Sequence, residues 1–290
     1  MTYSIAGHKI EITYDAQLLQ RLLPSFAPFQ VADDGSTPLM HLTVDSTLQR
    51  VPEQQCHLIR DIDTGNGMTR VDLLPDGGYQ FLVRDIHGTE CALLITSPDF
   101  SDCHVALQGT FPTQRFALNN ALMLSYAFSA ATHDTLLIHA SVVRHQGRAY
   151  AFTAKSGTGK STHVANWMRY IPDCDIINDD NPIIRLIDDK PVLYGSPWSG
   201  KTPCYRNVSA PLGAIMLIKR DTTNHVAPMS PIIAFSTVLT SCSAMKWDER
   251  LYQPVCSTCS RIVETTRVAA IHCLPDSQAA AVCRDFLITN

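Results

Sequence analysis

The stretch AFTAKSGTGKSTHVANW, Ala151 to Trp167, constrains this chain more than any other feature. An apolar run gives way to Lys155-Ser156-Gly157-Thr158-Gly159-Lys160-Ser161, and residues with helical spacing follow. Strand, glycine-rich loop and helix, in that order, build a backbone cradle for phosphate. Ala154 to Ser161 match the P-loop spacing, with Ala154 in place of the leading glycine. In such a loop the backbone N–H groups of Ser156, Gly157, Thr158, Gly159 and Lys160 wrap the phosphates of a nucleoside triphosphate. The Lys160 ammonium reaches the outer phosphates, the Ser161 hydroxyl is a ligand for Mg²⁺, and Thr162 completes the nucleotide-binding set. A side chain at Gly157 or Gly159 would obstruct the wrap and the positive backbone angles it needs. The bland alternative is a glycine-rich turn that caps a helix, and the flanking strand and helix weigh against it.

A second element, CDIINDDNPIIR, is an apolar strand ending in two adjacent carboxylates, Asp179 and Asp180. It lies downstream of the loop and helix, where P-loop proteins place the acid that organises Mg²⁺. Two acids permit two jobs: one holds the metal, and the other takes the proton of an attacking hydroxyl. In isolation a solvated turn would be the default. His139, in LLIHASVV, is expected mid-strand among apolar residues, where a histidine is more often a hydrogen-bonded core residue than a catalytic one.

Residues 1–112 alternate short apolar runs with turn signals such as DTGNG and PDGG, which predicts a β-rich, antiparallel domain with one helix at DAQLLQRLL. His41, His57 and His87 stand singly there and are read as packed or solvated. From Thr113 the long apolar-spaced TQRFALNNALMLSYAFSAATHD predicts a buried helix, so a boundary near Pro112 is expected, with residues 113–290 forming an α/β nucleotide-binding and catalytic domain. The overall class is then α+β, and the N-terminal part is a candidate for substrate recognition. A net charge of -4 without basic runs argues against nucleic acid and anionic membranes as partners. With no signal-peptide pattern or spanning segment, a cytoplasmic protein with reduced cysteines is expected, and a homo-oligomer stays open.

Taken together, LLIHASVV, GRAYAFTAKSGTGKST, IINDDNPIIR, YGSPWSGK and PLGAIMLIKR resemble the HPr kinase/phosphorylase-like group of P-loop kinases. The nucleotide fold of that group is shared with ATP-dependent phosphoenolpyruvate carboxykinase. Within it the chain looks most like the small bacterial kinases that phosphorylate a serine hydroxyl, including those tailoring lasso peptides. The resemblance runs from about Leu136 to the C-terminus. It implies ATP and Mg²⁺ as cofactors, His139 standing beside the acids, Asp179 as catalytic base, and Asp180 with Ser161 on the metal; the residues themselves leave the division between the two acids open. The segment used by the family's bifunctional members for the reverse reaction is not found, which argues against HPr as the acceptor. Phosphoenolpyruvate carboxykinase activity is disfavoured by the short chain.

The loop GSPWSGKTPCYRN, Gly195 to Asn207, also recurs in the family at this place. Its glycines and prolines place it at a sheet end, where open α/β sheets bind ligands. Lys201 is accordingly a catalytic candidate, and Arg206 would add positive charge against the moving phosphoryl group. The alternative is an ordinary surface loop anchored by Trp198. Cys256-Ser257-Thr258-Cys259 is a single CxxC lacking two further ligands, so helix packing is the default there. The expected function is an ATP-dependent kinase acting on a serine hydroxyl of a peptide or protein. Its rivals are a kinase of a small alcohol such as free serine and a non-catalytic ATP-binding regulator.

Overall fold

The computed structural model describes residues 1–63, 67–200 and 202–289. The protein is a mixed α/β chain whose described residues form two nine-stranded sheets. Its contacts divide it into two units, Met1–Ala130 with Met245–Leu251, and Ala131–Ala244 with Tyr252–Asn290.

The first unit contains β1 (Thr2–Ile5), β2 (His8–Thr13), α1 (Ala16–Leu22), β3 (Gln30–Val31), β4 (Met40–Val44), β5 (His57–Asp63), β6 (Met68–Leu73), β7 (Tyr79–Arg84), β8 (Glu90–Thr96) and β9 (Asp102–Leu107), followed by α2 (Phe111–Ala131). The strand order is β3-β1-β2-β4-β9-β8-β7-β6-β5. The run from β5 to β9 is the expected antiparallel meander. However, β4 pairs parallel with both β2 and β9, so the sheet is mixed. The segment holding α1 accounts for the β2–β4 pair, because a helical crossover returns the chain in the direction it left.

The boundary expected near Pro112 falls later in the chain, since α2 belongs to the first unit up to Ala130. Leu118, Ala121, Leu122 and Tyr126 are fully buried on this helix. The Tyr126 hydroxyl donates to the Ile5 carbonyl at 3.1 Å, and Phe128 packs edge-on against Phe100 with ring centroids 5.2 Å apart. A composition shift marks where the helix begins, and its buried face decides which unit it joins.

The second unit continues with β10 (Thr135–Leu137), β11 (Ala140–His145), β12 (Arg148–Thr153), α3 (Lys160–Tyr170), β13 (Cys174–Asp180), β14 (Ile183–Ile187), β15 (Lys190–Tyr194), β16 (Ser209–Arg220), β17 (His225–Pro228), α4 (Pro231–Ser241), α5 (Glu249–Thr265), β18 (Arg267–Cys273) and α6 (Ser277–Thr289). Its central strands run β16-β12-β11-β13, and β18 pairs with the other side of β16. The β12–β16 and β16–β18 pairs are parallel, whereas β11 is antiparallel to both of its neighbours.

Alternation along these strands separates two cores. Val142, Ala151 and Ile215 cluster with Val238 of α4 and Ile262 of α5. Their neighbours Val143, Phe152 and Met216 cluster with Trp167 of α3 and Cys283 of α6. A central sheet covered on both faces needs apolar residues at successive positions, which explains the continuous apolar runs of the sequence.

Candidate functional site

The glycine-rich loop leaves the end of β12, and its last residues open α3, whose N-cap is Gly159. Gly157 and Gly159 have φ of 76° and 126°, and a Cβ on either would meet no protein atom within 4 Å. These glycines are required by backbone conformation, and the space above them is open to a ligand. Arg220, at the end of β16, holds the loop: its guanidinium donates to the Gly157 carbonyl at 2.6 Å and to the Thr158 carbonyl at 3.1 Å.

His139 lies at a break and not mid-strand. β10 pairs with β14, β11 pairs with β12 and β13, and His139 lies between the two strands, its backbone N–H donating to the Ser241 carbonyl at 2.7 Å. Lys160 Nζ donates to His139 Nε2 at 2.7 Å, and His139 Nδ1 faces Asp180 Oδ1 at 3.2 Å. An ammonium is donor only, so Nε2 accepts and Nδ1 carries the proton toward Asp180.

The two acids have different environments. Asp179 is buried, and its Oδ1 accepts from Ser141 Oγ at 2.5 Å and from Ser161 Oγ at 3.1 Å. Asp180 is half-exposed, and its Oδ2 accepts from Asn181 Nδ2 at 2.8 Å. Burial acts to raise the Asp180 pKa, but His139, Lys160 and Asn181 together hold its carboxyl below the usual range. Burial in turn lowers the Lys160 pKa against the opposing pull of Asp180 and Asp179.

Asp180 also has φ of 134°, a conformation that costs a residue with a Cβ roughly 1–3 kcal/mol. The loop after β15 holds it there. Ser199 forms a β-bridge with Asp180, and Gly200 N donates to the Asp179 carbonyl at 2.6 Å. A Cβ at Gly200 would sit 3.2 Å from that of Asp180, so the approach favours glycine. Beneath the loop, the buried Asn178 amide donates to the Trp198 carbonyl at 3.0 Å and accepts from Asn181 N at 2.9 Å.

Lys201 lies outside the described residues. The expectation for Arg206 is corrected: it pairs at 2.8 Å with Asp175, at the opposite end of β13 from the two acids, and also bonds the Ile176 carbonyl. Its charge serves that end of the sheet. Of the remaining candidates, His139, Lys160, Ser161, Asp179 and Asp180 come together, and Ser156, Gly157, Thr158, Gly159 and Thr162 lie in the adjoining loop and first helical turn. Ser141, Asn178 and Arg220 are additions that sequence reasoning missed. Ser141 is the register partner of Asp179, a relation that appears only once β11 and β13 are paired.

A cavity of about 440 Å³ is lined by Gly157, Gly159 and Thr162 together with Ile218, Asp221 and Leu274, and neither acid lines it. His163 also lines it. That imidazole is buried, accepts from Trp167 Nε1 at 3.1 Å, and its pKa is pushed by burial down to about 4.

No protein-family model matches this chain, and no curated protein matches it. Among the described residues no helix is long and apolar enough to cross a membrane.

His163 makes a measurable pH dependence. Its folded pKa of about 4 lies below the ordinary 6.5, so the unfolded chain binds the extra proton first as pH falls. Stability contributed by the neutral imidazole is complete above pH 6.5 and is lost as pH falls through the window down to about 4. The shift corresponds to about 3 kcal/mol. Urea unfolding across this window should show that loss in the wild type and a shallower one in His163→Gln, which keeps an acceptor for Trp167; equal slopes would contradict it.

Proposed function

We propose that the chain is a P-loop phosphotransferase that moves the γ-phosphate of ATP to a hydroxyl, with a serine of a peptide or protein as the preferred acceptor class. The observation that carries the reading is the 3.1 Å contact between Ser161 of the loop and Asp179 at the end of β13. P-loop NTPases set a loop hydroxyl beside a strand-end acid in this way to hold Mg²⁺. The serine acceptor comes from the resemblance to the HPr kinase/phosphorylase-like group.

The residues fit the ligands. Open space above two positive-φ glycines suits phosphate oxygens, and a hydroxyl with a carboxylate is a hard donor set of the kind magnesium prefers. Ser161 and Asp179 would hold that ion, which when bound screens the phosphate charge. The cavity beside the loop is within the size range of small-molecule sites and would take the nucleoside. The phosphates would then run across the loop toward Lys160.

In this arrangement Asp180 is the base. Its half-exposed carboxylate can take the acceptor proton as the hydroxyl oxygen bonds to the γ-phosphorus and the bond to the β-phosphate oxygen breaks. His139 orients it through Nδ1–H, and Lys160 exchanges His139 for a phosphate oxygen. The resemblance matches Asp179 with the base; the hydroxyl contacts on Asp179 favour the reverse division.

The test is incubation with Mg²⁺, ATP and either serine-containing peptides encoded beside the gene or free serine, followed by mass spectrometry. Added phosphate on an acceptor, lost in Lys160→Ala, is the expected result. ATP binding without transfer to any hydroxyl would leave a regulatory protein, and unchanged ATP affinity in Lys160→Ala would end the P-loop reading.

A further inference from the structure

A second cluster of chemistry-bearing side chains lies where β16 and β18 end and β17 begins. Antiparallel pairing sets His225 of β17 opposite His272 of β18, and their rings stack with centroids 4.7 Å apart and planes 15° from parallel. Asp221, just beyond β16, accepts from His272 Nδ1 at 3.0 Å through its Oδ2. One donor atom from each of the three residues lies within 4.8 Å of the other two. We propose that Asp221, His225 and His272 form a binding site for one divalent transition-metal ion, zinc being the best match.

The donor types select that class of ion. Two imidazoles and a carboxylate suit zinc and its borderline neighbours, whereas magnesium and calcium prefer oxygen donors throughout. The three residues come from separate segments held in place by backbone pairing. Asp221 N donates to the Cys273 carbonyl at 3.2 Å, Leu274 N to Asn224 Oδ1 at 2.9 Å, and Asn224 Nδ2 to Asp276 Oδ1 at 3.0 Å. Much of the ordering that a metal site needs is therefore already supplied by the fold. The lone pairs of two parallel rings do not converge on one point, so an incoming ion must rotate an imidazole out of the stack. His225 is exposed on a strand paired only with β18, and its ring has room to turn. Because Asp221 also lines the cavity beside the glycine-rich loop, the ion would fix one wall of that cavity. The proposal stands independently of phosphate transfer.

The full chain, freed of metal by chelation, is titrated with Co²⁺ and followed by visible absorption. The expected result is saturation at one equivalent, with ligand-field bands, without a thiolate-to-cobalt charge-transfer band, and displaced by Zn²⁺. His225→Gln and His272→Gln should each weaken binding about tenfold or more. Metal-free thermal unfolding of each variant serves as the folding control; if His272→Gln does not fold, His225→Gln decides the matter. Absence of saturable absorption, a thiolate band, or unchanged affinity in folded His225→Gln would overturn the site.

Discussion

Asp180→Asn is expected to lower the phosphate-transfer rate at saturating ATP and acceptor by about a hundredfold to ten-thousandfold, the usual worth of a general base. The amide keeps the size of the carboxylate but cannot accept the acceptor proton. Nucleotide affinity should stay within about threefold, because Asp180 is not the acid that meets the loop hydroxyl. Asp179→Asn should do the opposite first: it removes the charge beside Ser161 and Ser141, so Mg²⁺-dependent ATP binding should weaken before transfer can be measured. Calorimetry with and without Mg²⁺, combined with single-turnover transfer, separates the two. If Asp179→Asn binds Mg-ATP normally and loses only transfer, the roles stand as the resemblance had them.

The two acids divide what is local in the sequence from what is not. The order of strand, loop and helix was legible because glycine spacing and apolar periodicity are local properties, and the helix expected after the loop is α3, Lys160–Tyr170. The paired acids were legible as a strand end for the same reason. What separates their roles is non-local: Ser141 faces Asp179 through the register of β11 on β13, and no spacing in the sequence records that register. His139 was expected within one strand because apolar residues flank it on both sides in LLIHASVV. The break arises because β10 and β11 hydrogen-bond to different neighbours, which is a matter of topology. Arg206 was aimed at the phosphate by its place in a polar loop, yet Asp175 lay closer in the fold and took its charge. The mixed pairing around β4 and the allegiance of α2 depend likewise on long-range packing.

The same distinction applies to Asn178, which reads as one more polar residue in a strand and is a structural keystone of the site. It is fully buried, and its amide links β13 to Trp198 in the segment after β15. The Nδ2 group lies 3.0 Å from the Trp198 carbonyl and 3.2 Å from Ser196 Oγ, while Oδ1 accepts from Asn181 N at 2.9 Å. Asn178→Leu has a similar volume but supplies none of these bonds. The Asn181 N–H would lose its Asn178 partner, whereas the Trp198 carbonyl keeps the Ser196 hydroxyl at 3.0 Å. One polar group losing its partner costs roughly 1–3 kcal/mol, so a loss of about 2 kcal/mol in urea-unfolding free energy is expected. The effect should also reach the site, because the bond to Asn181 N helps keep Asp180 at its φ of 134°. A folded but destabilised Asn178→Ser, which retains a smaller polar group, should transfer phosphate more slowly with little change in ATP affinity. A loss below about 1 kcal/mol in Asn178→Leu would mean that the loop finds other partners and that Asn178 does not hold Asp180 in place.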